Sequence, residues 1–303
     1  MKRRRFIQQT SAAAIALATP HALAIEPFAR PKPGQLRLSL AAYSLRKYLQ
    51  PQNKDKVSSA AEMDLFEFVD FCFEQGLAGA ELTSYYFPDQ VTHDYLLKLK
   101  QHCHLRGITI SGGAIRNDFC SSDASQLAQD LAHTRQWVDH YAVLGAPAIR
   151  IFAGKEVAGE ELKVTLARCA ANCETACEYA ASKGVMLALE NHGGVTAKAS
   201  DLLQIVQAVK SPALGINFDS GNFRSGDDPY QELELIAPYA VNAQIKVEMT
   251  VGGKKTEADL ERIVKILRDA GYSGWVALEY EAAEEPLDAI PRWLDKLRPL
   301  LDA

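Results

Sequence analysis

Strand alternating with helix eight times along one chain of 303 residues predicts a single-domain α/β fold, a (β/α)8 TIM barrel. Three observations lead there. Eight short apolar runs recur between longer amphipathic stretches. The polar side chains of those runs fall on one face. Glycines stand where helices hand over to strands. No shift of composition marks a second domain, and there is no low-complexity tract.

In chain order the expected strands are 36–42, 79–82, 109–114 and 148–152, then 186–190, 215–219, 242–247 and 275–279. Helical periodicity fills the gaps, as in AEMDLFEFVDFCFEQG, DLLQIVQAV and EADLERIVKILRDAG. Gly76, Gly107, Gly145, Gly184 and Gly271 each fall just before a strand, where a helix C-terminus needs a residue tolerant of positive φ.

Residues two apart on a strand share a face. In the fifth run Leu187 and Leu189 share one face, and Glu190 and His192 the other. In the sixth Ile216 and Phe218 oppose Asn217 and Asp219; in the seventh Ala243, Ile245 and Val247 oppose Gln244, Lys246 and Glu248. In the eighth Val276, Leu278 and Tyr280 oppose Ala277, Glu279 and Glu281. The apolar face packs under the helices and the polar one points at the barrel axis. A doubly wound open sheet would also alternate, but no Gly-rich phosphate turn follows an early strand.

The first 24 residues stand apart. Arg3, Arg4 and Arg5 precede Phe6-Ile7, then a modest apolar run and Ala22-Leu23-Ala24, a small-x-small cleavage pattern. Residues 1–24 are expected to be a twin-arginine signal peptide, 25–34 a Pro-containing linker, and 35–303 the barrel, in a periplasmic or otherwise extracytoplasmic protein exported folded. The apolar run is too short to span a bilayer, so no membrane insertion of the mature protein is expected. Without the leader the net charge moves from −5 to about −9. That balance argues against nucleic acid as a partner, since phosphate contacts need clustered Lys and Arg.

Six cysteines in an exported chain invite a disulfide reading. Cys169, Cys173 and Cys177 instead recur every four residues in an alanine-rich helical stretch. That spacing suits one buried helix face and suits disulfides poorly. They are expected to be core residues.

Barrel enzymes build their sites from the C-terminal ends of the strands. Those ends in the second half are Glu190, Asp219, Gln244 and Glu279, three carboxylates and an amide oxygen of one parity. Hard oxygen donors converging on one point suit one divalent metal ion, Mn²⁺ or Mg²⁺. A salt bridge to Arg37 or Arg150 would explain any one of them taken singly.

The segments MLALENHGG, INFDSGNF, NAQIKVEM and VALEYE, with AYSLR and GAELTSYYFP before them, resemble the xylose isomerase-like TIM-barrel family, also called the sugar phosphate isomerase/epimerase family. The resemblance covers essentially the whole chain after the leader. It implies Glu190, Asp219, Gln244 and Glu279 as metal ligands, at separations of 29, 25 and 35 residues that fit one strand–helix unit per step. Gln244 departs from the histidine of many members and is similar to the hydroxypyruvate isomerase-like ones.

The chemistry implied is isomerisation or epimerisation of a small keto- or aldo-sugar through an enediolate, with Glu190 and Glu279 as base and acid. His192, Lys246, Glu281, Tyr43, Glu81 and Arg150 are the expected substrate contacts. Phe152 and Trp275 fit barrel packing better than sugar stacking. The expected partner is a small sugar, unphosphorylated because the chain is exported and shows no phosphate loop; a homo-oligomer is left open. A lyase or hydratase acting on a keto-sugar or 3-keto-glycoside, as in inosose dehydratase-like relatives, would use the same residues and differ in product mass. A non-catalytic sugar-binding barrel is a further alternative. An AP endonuclease is set aside, since its metal cluster needs several histidines and only His192 lies at a strand end.

Overall fold

The computed structural model describes residues 25–49, 63–224 and 228–302. The eight expected runs form strands β1 (Leu36–Ala41), β2 (Gly79–Thr83), β3 (Thr109–Ala114), β4 (Ala148–Ile151), β5 (Met186–Glu190), β6 (Leu214–Asp219), β7 (Ala240–Ile245) and β10 (Gly274–Leu278). They close into one barrel in the order β1-β10-β7-β6-β5-β4-β3-β2. Every neighbouring pair runs parallel.

The helices alternate with them: α1 (Leu65–Glu74), α2 (His93–Leu105), α3 (Ala124–Leu144), α4 (Leu162–Ser182), α5 (Ala199–Ala208), α6 (Pro229–Ile236), α7 (Leu260–Asp269) and α8 (Pro286–Asp302). Their starts are chemically specified. Asp64 and Glu67 form a capping box on α1, and Thr92, Asp123, Asp228 and Asp259 cap α2, α3, α6 and α7. Their ends use the expected glycines: all five have φ between 65° and 84°.

The outward faces carry the core, with Leu187, Leu189, Ile216, Phe218, Ala243, Ile245, Val276 and Leu278 fully buried under the helices. Cys169, Cys173 and Cys177 lie on the buried face of α4, and all six cysteines are free and buried. Among the described residues no helix is long and apolar enough to cross a membrane.

Gly113 and Tyr141 lock β3 to α3. A Cβ on Gly113 would lie 2.3 Å from the Tyr141 ring. The Tyr141 hydroxyl donates to Leu82 O at 2.6 Å and accepts from Ala114 N at 3.3 Å, spanning β2 and β3. Tyr141→Phe should therefore leave two buried backbone groups short of a partner and cost about 1–3 kcal/mol. Denaturant unfolding measures it, and an unchanged midpoint would show the hydroxyl to be idle.

One expectation needs correction. The seventh strand ends at Ile245, and a hairpin follows: β8 (Glu248–Val251) and β9 (Lys254–Glu257), paired antiparallel with Val251 opposite Lys254. Gly252-Gly253, at φ 54° and 75°, makes the two-residue turn. Glu248 thus leaves the axis and pairs with Lys255. Residues 25–34, expected as a linker, have no helix or strand but dock on the barrel: Phe28 N donates to Pro238 O, and Arg30 lies over the Phe28 and Tyr272 rings. The expected leader, 1–24, lies outside the described residues.

Candidate active site

Parallel strands deliver their last axial side chains to one end of the barrel. Glu190 closes β5, Asp219 closes β6, Gln244 is the penultimate residue of β7, and Glu279 follows β10, its N–H still bonded to Ile245 O. All four are at most 8% exposed. Their burial demands partners, which are supplied by asparagines, Arg150, His192 and Lys246.

Below the site runs an amide network. Asn217 donates to Gln244 Oε1 at 2.6 Å and to Glu190 Oε2 at 3.3 Å. Asn242 donates to Asn217 Oδ1 at 2.8 Å and to Glu81 Oε2 at 2.7 Å. Gln244 Nε2 donates to Glu81 Oε1 at 2.5 Å. Burial pushes the Glu81 carboxyl up to about 7 against those hydrogen bonds. At the rim Asn191 clamps two strand ends together, donating to Asp219 O at 2.9 Å and accepting from Asp219 N at 3.0 Å.

Two ionic groups sit on this base. In the first, Arg150 Nε lies 2.9 Å from Glu190 Oε2, close enough for charge pairing though off the line of a hydrogen bond. His192 Nδ1 lies 2.5 Å from Glu190 Oε1, and Asn222 donates to the same oxygen at 2.9 Å. Burial opposes ionisation of Glu190, but Arg150 and then His192 outweigh it and hold its carboxyl below the usual range. Phe152 carries both partners: the Arg150 guanidinium is 4.0 Å above its ring, and the His192 ring is 4.4 Å away.

Lys246 centres the second group. Its Nζ is 2.5 Å from Glu281 Oε2, 3.1 Å from Asp219 Oδ2 and 3.8 Å from Glu279 Oε1. Gly221 makes room for its stem, since a Cβ there would lie 2.7 Å from Lys246 Cδ. Burial alone would favour losing the ammonium proton; Asp219, Glu279 and Glu281 outweigh burial and hold it charged. One ammonium against three acids leaves negative charge over. Burial pushes the Asp219 carboxyl up to about 6 and drives that of Glu279 well above the carboxylate range, with Lys246 opposing both.

Above these groups opens a cavity of about 600 Å³. Tyr43, Arg150, Glu190, His192, Lys246, Glu279 and Glu281 line it, seven of the ten residues expected from sequence. Asp219, Gln244 and Glu81 are packed beneath. Glu81 therefore acts on Gln244 rather than on anything in the cavity. Arg37 is exposed and lies near Trp275, so it partners none of the acids.

Among the described residues no three of His, Cys, Asp and Glu close on one point as a ready-made metal cluster. The donor chemistry nevertheless fits an oxygen-liganded divalent ion. Asp219 Oδ2 is buried without a hydrogen bond, and Glu279 is under-compensated beside it. Gln244 Oε1 has a second lone pair beyond the one Asn217 uses. Asn217 and Asn222 hold Gln244 and Glu190 in place, as outer partners would for metal ligands.

Sequence reasoning missed Asn191, Asn222 and Asn242 and gave Asn217 no role. Asn217 and Asn242 share the axial parity of Asp219 and Gln244, so alternation could have found them. Asn191 and Asn222 act through loop geometry that no periodicity carries.

Solved structures share this architecture at low identity. A xylose isomerase domain protein from Planctomyces limnophilus matches with a TM-score of 0.64 at 18% identity, over 89% of this chain and 98% of that one. The D-psicose 3-epimerase of Clostridium cellulolyticum H10 gives 0.69 at 15%, over 88% and 99%. The 3-keto-D-glucoside 4-epimerase of E. coli gives 0.67 at 14%, over 88% and 100%. No curated protein matches the sequence significantly. The family described as xylose isomerase-like TIM barrel matches residues 59–297, and the chain belongs to that family.

Proposed function

We propose that this protein is a sugar isomerase or epimerase, dependent on Mn²⁺ or Mg²⁺, that acts on an unphosphorylated keto- or aldo-sugar through an enediolate. The observation that carries the reading is the set of buried acids at the strand ends under a cavity that admits a sugar, with Asp219 Oδ2 lacking a hydrogen bond and one ammonium, that of Lys246, shared among Asp219, Glu279 and Glu281. Glu190, Asp219, Gln244 and Glu279 would hold the ion, which supplies neutralisation of charge on two adjacent substrate oxygens.

The chain's own residues divide the remaining work. Glu190, held ionised by Arg150 and His192, is suited to take the proton from the carbon beside the carbonyl. Glu279, which lines the same cavity as Glu190, is suited to give one back. Lys246 and Glu281 present an ammonium and a carboxylate to hydroxyls at the same wall. Arg150, Phe152 and His192 form one stacked side of the cup.

A lyase or hydratase is the second reading, favoured by Lys246: a third proton-bearing group beside the two glutamates could assist departure of a substituent from the next carbon. Incubating metal-loaded protein with free sugars and 3-keto-glycosides separates them. Unchanged product mass, apart from deuterium taken up from D₂O, supports isomerase or epimerase; loss of water or an aglycone supports the lyase. Binding without any product would sink both. Export by the twin-arginine route belongs to the same proposal, because it places the protein among free sugars. Replacing Arg4 and Arg5 by Lys should block export, and unchanged export would refute that part.

A further inference from the structure

The cavity is too large for one sugar ring. A hexose at interior packing density fills roughly 200 Å³, against about 600 Å³ here. The lining around Glu190, Lys246 and Glu279 is accounted for by the proposed reaction. The same cavity is also lined by Arg116, Asn117, Asp118, Gln126, Asp130 and Lys155, from the loops after β3 and β4 and the start of α3, none of which that chemistry uses.

This outer wall is built, not incidental. Asn117 donates to Phe152 O at 2.6 Å and accepts from Phe152 N at 2.9 Å, so the loop after β3 is bonded to the end of β4 as a strand would be. Phe119 N and Cys120 N both donate to Ala153 O, and Cys120 N also to Asp118 Oδ1 at 2.9 Å. Gly154, at φ 124°, lets the two loops meet: a Cβ there would lie 1.9 Å from Asp118 Oδ1. The Arg116 guanidinium rests 5.0 Å from the Tyr85 ring centre. Gln126 donates to Asp130 at 3.1 Å from successive turns of α3, whose start Asp123 caps.

The wall's charges cancel, with Arg116 and Lys155 against Asp118 and Asp130. Donors and acceptors stand together there without a net formal charge. Such a surface suits a neutral polyhydroxylated ring, which needs many hydrogen-bond partners and no counter-charge. Resting on the proposed sugar chemistry, the geometry points to a second subsite: the substrate is a glycoside, its reacting sugar over Glu190 and Glu279 and an uncharged second sugar ring on the Arg116–Asp130 wall.

Isothermal titration of the metal-loaded protein tests this, with D-glucose, D-galactose and D-mannose each offered as the free sugar, the methyl glycoside and a disaccharide. For the sugar that binds, the disaccharide should bind about tenfold more tightly than the methyl glycoside. In the Gln126→Ala/Asp130→Ala variant, with its fold checked by circular dichroism and Tm, that ratio should fall to near one. Equal affinities in the unaltered protein, or a ratio that survives the double substitution, would overturn the subsite alone. Failure of every sugar to bind would overturn the subsite and the sugar reading together.

Discussion

Replacing Glu279 with glutamine should lower turnover by about 10²–10⁴-fold while leaving the barrel folded. The amide keeps the shape of the carboxyl but can neither give nor take the proton at the reacting carbon, and it is a weaker ligand for a divalent ion. The expected effect on stability has the opposite sense. Glu279 is one of three acids around the single ammonium of Lys246, and burial already drives its carboxyl well above the usual range. A neutral side chain there relieves crowding of like charge. The metal-free variant should therefore melt at or above the temperature of the metal-free parent. Steady-state kinetics beside thermal melts read both halves. Turnover within tenfold of the parent would remove Glu279 from the chemistry, and a collapse in Tm would make its role structural.

Lys246→Met should do the reverse to stability. Its ammonium is the counter-charge to Asp219, Glu279 and Glu281, and the side chain is only 9% exposed. Methionine preserves the buried stem but leaves the acids facing one another, and breaking a buried ionic group in this way costs about 3–5 kcal/mol. Because the same acids supply proposed metal ligands, added Mn²⁺ should return much of that loss by binding the folded state. Unfolding of both proteins, with and without the ion, measures the difference. A loss that the ion does not reduce would mean that the ammonium and the metal do not share these carboxylates. No loss at all would mean that the ionic group contributes nothing.

The barrel was legible because two independent periods agreed. Alternation placed Leu187 and Leu189 outside and Glu190 inside, and the glycines ending the helices marked where five of the eight strands begin. The β8–β9 hairpin carried its own signal, Gly252-Gly253 between two short runs, but it was overridden by reading the seventh strand on to Val247. The site was legible as far as parity reaches. It identified the acids on the strand ends and the lysine above them, because those residues keep the strand's geometry. Asn191 and Asn222 lie past the strand ends, where backbone direction changes and side-chain order no longer follows from position. Depth was also hidden: parity cannot show that Gln244 and Glu81 lie under the cavity while Glu281 lines it. The outer wall was invisible for a similar reason, being formed by loops after β3 and β4 that meet only because Gly154 and Asp118 fit together.

The most direct test of the central claim is hydrogen exchange at the substrate carbon. Manganese-loaded protein, exhaustively chelated protein and the Glu279→Gln variant are each incubated with the sugar panel in D₂O, and the proton beside the carbonyl is followed by NMR. The expected result is deuterium at that one carbon in a product of otherwise unchanged mass with the loaded protein, and essentially none with the other two. Exchange that continues at the same rate after chelation, or a sugar that binds the loaded protein and never exchanges, would contradict it.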